Sequence, residues 1–306
     1  MACRSCRRQL LLLGRQANSP IVAELYSATL EQQFLRRVAT TPAAHQQRRG
    51  FRSTPTQFGI MDSIRSTLQR SGEPYRVVAA TKEIYDACSK AAPYKIDPIA
   101  VKAGTIPKTP EGEDIGEGKG MWHDEFKLPP TFSTWSQVTM LHMYLVFARL
   151  RNLDRDAARS WQAQLVDHFF FDAEERMDLS HGISSRALRG RYLKDLFVQW
   201  RGAVAAYDEG VAKGDAVLAS AVWRNVFKAR EDVNVRDLAA TVSWMRLCLK
   251  MLDQMPDEAL FTRAGTALRW PAKNEFAVVD KPTRQLADQL ASNTTQASAG
   301  KASSAA

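Results

Sequence analysis

The sequence predicts an all-α protein: a multi-helix bundle around a buried central helix at about 135–150, with disordered N- and C-terminal segments. Three observations carry that prediction. Trp135–Leu150 contains no Pro or Gly and is apolar on nearly every face, the pattern of a helix covered by neighbours on several sides. The segments after it repeat apolar residues at steps of three and four, up to a seam of Leu238, Val242, Met245, Leu249 and Leu252. Between 131 and 265 no hairpin signal or alternating run competes with helix.

The central helix is about 24 Å long at 1.5 Å per residue, shorter than the ~20 apolar residues that cross a bilayer. Gln137 and His142 also suit a protein interior better than lipid. Thr131 or Ser133 is placed to cap its start and Asp154 to cap the next helix. That next helix carries Ala157, Trp161, Leu165, His168 and Phe169 on one face. Asp172 followed by Glu175 reads as a capping-box-like start of a separate short helix that Gly182 ends. A further stripe runs Leu188, Tyr192, Leu193, Leu196, Phe197, Trp200, Val204 and Tyr207, with Asp208 at the helix end. Gly210 and Gly214 mark a break, Asp215 caps a helix through Phe227, and Pro256 stops the helix that holds the Leu238–Leu252 seam.

Before the bundle, residues 53–92 read as a helical pair, Phe58–Arg70 and a second helix from Pro74 to about Lys90. Residues 93–130 form a Pro/Gly-rich loop whose Glu111–Gly120 part is expected to be mobile. Its glycines follow no strand and precede no Gly-Lys-Ser/Thr, so they do not read as a phosphate cradle. Beyond the 131–265 domain, residues 266–306 read as a tail. Trp270-Pro271 and Phe276–Val279 clip onto the surface as one extended segment, and Ser292–Ala306 is too polar to order itself.

The net charge of +9 over 306 residues is unevenly placed. Residues 1–52 hold nine Arg, no Lys and only Glu24 and Glu31, or +7; the remaining 33 basic and 31 acidic residues give +2. An Arg-rich, acid-poor start with an amphipathic stretch over 20–38 reads as a mitochondrial transit peptide, cleaved near Phe51 or Arg52. The near-neutral remainder argues against a protein that acts alone on RNA. Four Cys do not make a disulfide scaffold, and Cys3-x-x-Cys6 has no second pair.

No catalytic or cofactor constellation emerges. Asp178-x-x-His181 has the carboxylate–imidazole spacing of di-iron bundles, but such sites need a second copy and two more Glu. No nucleophile elbow is present, and His142 reads as a hydrogen-bonded core residue. The expectation is a non-enzyme without cofactor. The Asp172, Glu174, Glu175, Asp178 run is a candidate partner-binding face. Arg149, Arg151 and Arg155, with Arg186, Arg189, Arg191 and Lys194, are candidates for contact with ribosomal RNA phosphates. Met140, Met143, Met245, Met251 and Met255 read first as core, and otherwise as an adaptable client surface.

Residues 131–227 resemble the ubiquinol–cytochrome c chaperone family. The blocks that carry the resemblance are Trp135–His142, Ala148–Arg151, Asp167–Asp172, Glu175–Met177, Tyr192–Lys194, Trp200–Gly202, Ala206–Asp208, Gly214-Asp215 and Trp223–Asn225. The resemblance implies a mitochondrial chaperone that binds newly made cytochrome b and supports assembly of complex III. It further implies work on the matrix side of the inner membrane, as a peripheral protein, with a small partner protein. A station at the large subunit of the mitochondrial ribosome near the tunnel exit also follows from it. The competing reading is an RNA-binding activator of cytochrome b translation acting alone.

Overall fold

The computed structural model describes residues 76–281. The transit-peptide expectation for 1–52, the helix expected at Phe58–Arg70 and the disordered end expected at Ser292–Ala306 all lie outside the described residues. Within them the protein is all-α, as expected.

The elements run in chain order. Helix α1 covers 76–89 and is followed by β1 (Tyr94–Lys95), α2 (Pro98–Ala103), β2 (Glu117–Gly118) and α3 (Met121–Asp124). The body consists of α4 (Phe132–Leu150), α5 (Arg155–Leu179), α6 (Arg186–Lys213), α7 (Asp215–Asn225), α8 (Val235–Asp253) and α9 (Asp257–Leu268). A 3-10 turn (Ala272–Glu275) and α10 (Phe276–Val279) close the described chain.

Helix α4 is the centre. Every residue from Thr134 to Leu150 except Ala148 is buried, with α5, α6 and α8 packed around it. Thr131 caps it by accepting from the Thr134 N–H at 3.2 Å. Trp135 stacks on Phe169 of α5 at 5.7 Å and donates from Nε1 to the Ser89 carbonyl at the end of α1 (3.1 Å). Gln137 donates to Gln199 of α6 at 2.9 Å. His142 donates from Nδ1 to the Val138 carbonyl (2.8 Å) and lies between Trp122 and Trp244.

Burial moves His142 down to a pKa of about 4, against which its backbone hydrogen bond acts weakly. The neutral ring is therefore the folded form. The unfolded chain binds a proton near pH 6.5 that the native state refuses until about pH 4. Stability from this group is complete above pH 6.5, falls as pH drops towards 4, and falls no further below that. The expected loss at pH 5 is about 2 kcal/mol. In urea titrations at pH 7 and pH 5, a His142→Gln variant should lack that increment and wild type should show it; parallel curves would refute the assignment.

Helix α5 is continuous over 25 residues, which corrects the expected new helix start at Asp172. Asp172 does not cap anything: it accepts from Tyr85 Oη of α1 at 2.6 Å and pairs with Arg176 at 2.7 Å. With Phe169, Phe170 and Ala173 buried on the adjoining turns, nothing releases the backbone there. Gly182, at φ +63, ends the helix as expected, and Ser185 caps α6 by accepting from the Leu188 N–H. Helix α6 runs on through Asp208 to Lys213, so Asp208 is not at a helix end. Gly210 lies inside α6 where α7 crosses it: a Cβ there would sit 2.5 Å from Leu218 Cα.

The Pro/Gly-rich stretch 93–130 is anchored rather than free, which corrects the expected mobile loop. Tyr94 and Lys95 pair antiparallel with Gly118 and Glu117. Glu113 forms a 2.5 Å ion pair with Lys228, and Asp114 meets His181 at 3.0 Å as well as Lys108. Those partners are 67 to 115 positions away from the loop or hidden in local irregularity, so periodicity could not reveal them. Gly116 permits the close strand approach, since a Cβ there would lie 2.3 Å from the Lys95 carbonyl oxygen.

The segment expected to be extended after Trp270 is helical instead. The Trp270 carbonyl accepts from Trp244 Nε1 at 2.7 Å, and Glu275 accepts from Ser243 Oγ at 2.6 Å. One turn of helix then brings Phe276 against Phe126 and under the Arg236 guanidinium, 4.0 Å from the ring centre. These tertiary contacts override the strand preference of Val278 and Val279.

Candidate interaction surface

The sequence-predicted site residues fall into three environments. The first is buried or half-buried. Arg149 is only 7% exposed; its Nε donates to the Leu252 carbonyl (2.9 Å) and its Nη2 to the Met255 carbonyl (2.8 Å) and Asp257 (2.5 Å). It closes the turn between α8 and α9 and is not available to RNA. Arg151 forms a bidentate pair with Asp208 at 2.7 and 3.0 Å, and Tyr144 Oη donates to the same carboxylate at 3.1 Å. Burial and that carboxylate push the Tyr144 hydroxyl well above the usual phenol range. Asp172 belongs here too: burial, then its charge, raises the Tyr85 hydroxyl in the same way. Arg149, Arg151 and Asp172 are therefore parts of the fold.

The second environment is a shallow, wide-open groove between the end of α5 and the start of α6, with a volume of about 330 Å³. Phe171, Glu174, Glu175, Asp178, Leu179 and Arg189 line it. On α5 these residues recur at i, i+3, i+4, i+7 and i+8 and so form one stripe. Arg189 is withdrawn into this groove. It donates to Asp178 (3.0 Å), to the Ile183 and Ser184 carbonyls (2.8 and 2.9 Å) and to Glu174 (3.4 Å). It holds the α5–α6 turn together, and the carboxylates beside it would repel a phosphate. The structure thus separates Arg189 from the other candidate cations and joins it to the acidic face. Phe171 and Leu179, at 69% and 71% exposed, are the residues that sequence reading missed. A signal existed: three consecutive Phe, 169–171, point about 100° apart on a helix and cannot all face one core.

The third environment is exposed and basic. Arg186, Arg191 and Lys194 lie exposed on the first half of α6, and Arg155 is exposed at the start of α5. None of the four makes an ion pair among the described residues. Of the methionines, Met140, Met143 and Met245 are fully buried core, while Met251 and Met255 are half-buried.

His181, of the Asp178-x-x-His181 pair, hydrogen-bonds Tyr94 Oη at 2.9 Å and Asp114 at 3.0 Å, which ties α5 to the loop. Among the described residues no group of three or more His, Cys, Asp or Glu stands close enough to hold a metal ion. Among them, too, no helix is long and apolar enough to cross a membrane.

Comparison with known proteins places this architecture. Residues 124–267 match the family model described as ubiquinol-cytochrome C chaperone. The chain is 38% identical over 152 residues to "Protein CBP3, mitochondrial" of Saccharomyces cerevisiae, covering 50% of this chain and 45% of that one. It is 28% identical over 167 residues to "Ubiquinol-cytochrome-c reductase complex assembly factor 1" of Xenopus laevis, covering 53% of this chain and 80% of the relative. The match thus spans less than half the length of the yeast relative. A crystal structure of the Cbp3 homolog from Brucella abortus aligns with a TM-score of 0.47 at 20% identity, over 66% of this chain and 93% of that one. The matched segment begins at the end of α3, takes in α4 to α8, and ends within α9. Through those helices the chain is similar to the ubiquinol–cytochrome c chaperone family.

Proposed function

We propose that this protein is a mitochondrial chaperone for assembly of ubiquinol–cytochrome c reductase, complex III. The observation that carries the reading is the family match over residues 124–267, together with the similarity to relatives named as complex assembly factors. In this reading the protein binds newly made cytochrome b and works with a small partner protein. It is peripheral to the matrix side of the inner membrane, close to the tunnel exit of the mitochondrial ribosome. The Arg-rich, acid-poor residues 1–52 support import into mitochondria. The exposed cations Arg155, Arg186, Arg191 and Lys194 suit a salt-sensitive contact with ribosomal RNA, since each phosphate neutralised releases a counterion.

Cells depleted of the protein should lose assembled complex III on native gels while ATP synthase stays near its normal level. Undiminished complex III would reject the function. The ribosome contact has its own test. Reversing Arg186, Arg191 and Lys194 to Glu should lower co-sedimentation with mitochondrial ribosomes about tenfold near 150 mM salt, with the circular dichroism spectrum unchanged. Equal co-sedimentation of the folded variant would remove this patch from the contact.

A further inference from the structure

We infer that the groove between α5 and α6 is a docking site for a cationic amphipathic helix of a partner polypeptide. The inference rests on the reading of this protein as an assembly factor that acts by holding other chains, and adds where and by what chemistry it holds one.

The shape comes first. Phe171 and Leu179 are large, apolar and mostly exposed, eight residues apart on one helix, so about 12 Å separates them at 1.5 Å per residue. That is the spacing between the first and last apolar anchors, at i and i+7 or i+8, of an amphipathic helix lying in a groove. The start of α6, which supplies Arg189 to the groove, is also incompletely covered. Leu188, Tyr192 and Leu193 of α6 are half-buried, and no residue of α6 before Leu196 is fully buried. Scattered apolar side chains on a surface need no explanation, but an exposed apolar pair bracketing one groove marks an interaction surface.

Charge decides what fits. Glu174, Glu175 and Asp178 stand between the two apolar residues, against the single guanidinium of Arg189. Arg189 is held by Glu174 and Asp178, while Glu175 is exposed and has no partner among the described residues. Three carboxylates and one guanidinium leave this groove at −2, on a chain whose net charge is +9. A bilayer with anionic lipids and an RNA strand are both repelled by such a face. A helix with Lys or Arg beside its apolar anchors is attracted, and its charges are read by the same carboxylates that steer it in.

The test uses the full chain and a fluorescent 18-residue synthetic helix with Leu at i, i+4, i+7 and i+11 and Lys on the flanking positions. A second helix replaces every Lys by Glu, and vesicles containing anionic phospholipid form a third arm. In anisotropy titrations the Lys helix should bind about tenfold tighter than the Glu helix. Glu175→Lys and, separately, Phe171→Ser should each weaken the Lys helix about fivefold or more, because each removes one component of recognition from an exposed position. Equal affinity for the two helices, or unchanged affinity in both variants, overturns the inference. Vesicle binding that Phe171→Ser abolishes overturns it in favour of a membrane contact. If complex III still depends on the protein while the Lys helix fails to bind, the groove is excluded and the assembly role stands. If complex III is indifferent to the protein, the assembly role falls whatever the peptide does.

Discussion

Replacing Trp135 by Ala should destabilise the protein by about 4 kcal/mol, the largest effect expected of any single substitution considered. The side chain is fully buried and joins three helices. It stacks on Phe169 of α5, donates to the Ser89 carbonyl where α1 ends, and carries the Arg176 guanidinium over its ring at 4.3 Å. Truncation would leave a cavity that the rigid central helix cannot close, an unsatisfied carbonyl, and a cation stripped of its aromatic face. Melting temperature should fall by roughly 8–16 °C for a domain of this size, as thermal unfolding with calorimetry would measure. A fall of under 2 °C would mean that α4 is not the element on which the body is built. The Trp135→Phe variant keeps the stacking and loses the Ser89 bond, so it should lie between wild type and Ala.

The second large effect is at Arg149. Arg149→Ala should cost about 3 kcal/mol, because the Leu252 and Met255 carbonyls at the end of α8 lose their charged donor and Asp257 loses its ion pair. Asp257 is more than half exposed, so water compensates its side of the loss; the two carbonyls carry most of the penalty. Urea midpoints of Arg149→Ala and Asp257→Asn should separate cleanly, the first falling well below wild type and the second by less than about 1 kcal/mol. An Arg149→Ala protein as stable as wild type, with weakened ribosome binding, would return this residue to the surface role that its sequence neighbourhood suggested.

Arg149 also shows where sequence ceases to inform. On the sequence it stands with Arg151 and Arg155 as a basic cluster two to four residues apart. The helix turns the first into the core, gives the second to Asp208 and leaves only Arg155 exposed. The first two outcomes depend on partners 57 to 108 positions away, and no local pattern encodes them. The central helix was legible because its evidence is local: a run without Pro or Gly, apolar on all faces, is buried wherever it sits. The caps Thr131 and Asp154 were legible for the same reason. At Asp172 local reasoning failed, since the same Asp…Glu spacing that starts a helix also occurs inside a long one. The acidic face was half legible. Glu174, Glu175 and Asp178 were identifiable as a run, but Phe171 and Leu179, which turn a charged face into a groove, needed coordinates. The α6 stripe read as continuous core, whereas its first apolar residues, Leu188, Tyr192 and Leu193, remain only half-covered.

That incomplete covering and the exposed Phe171 and Leu179 of α5 are what a protein acting by contact would keep at its surface. The most direct measurement is capture of the tagged full chain from mitochondria whose own translation products have been pulse-labelled. The account predicts that labelled cytochrome b is retained with the wild-type protein. Capture of intact protein with no labelled mitochondrial translation product, at any time after the pulse, would contradict it.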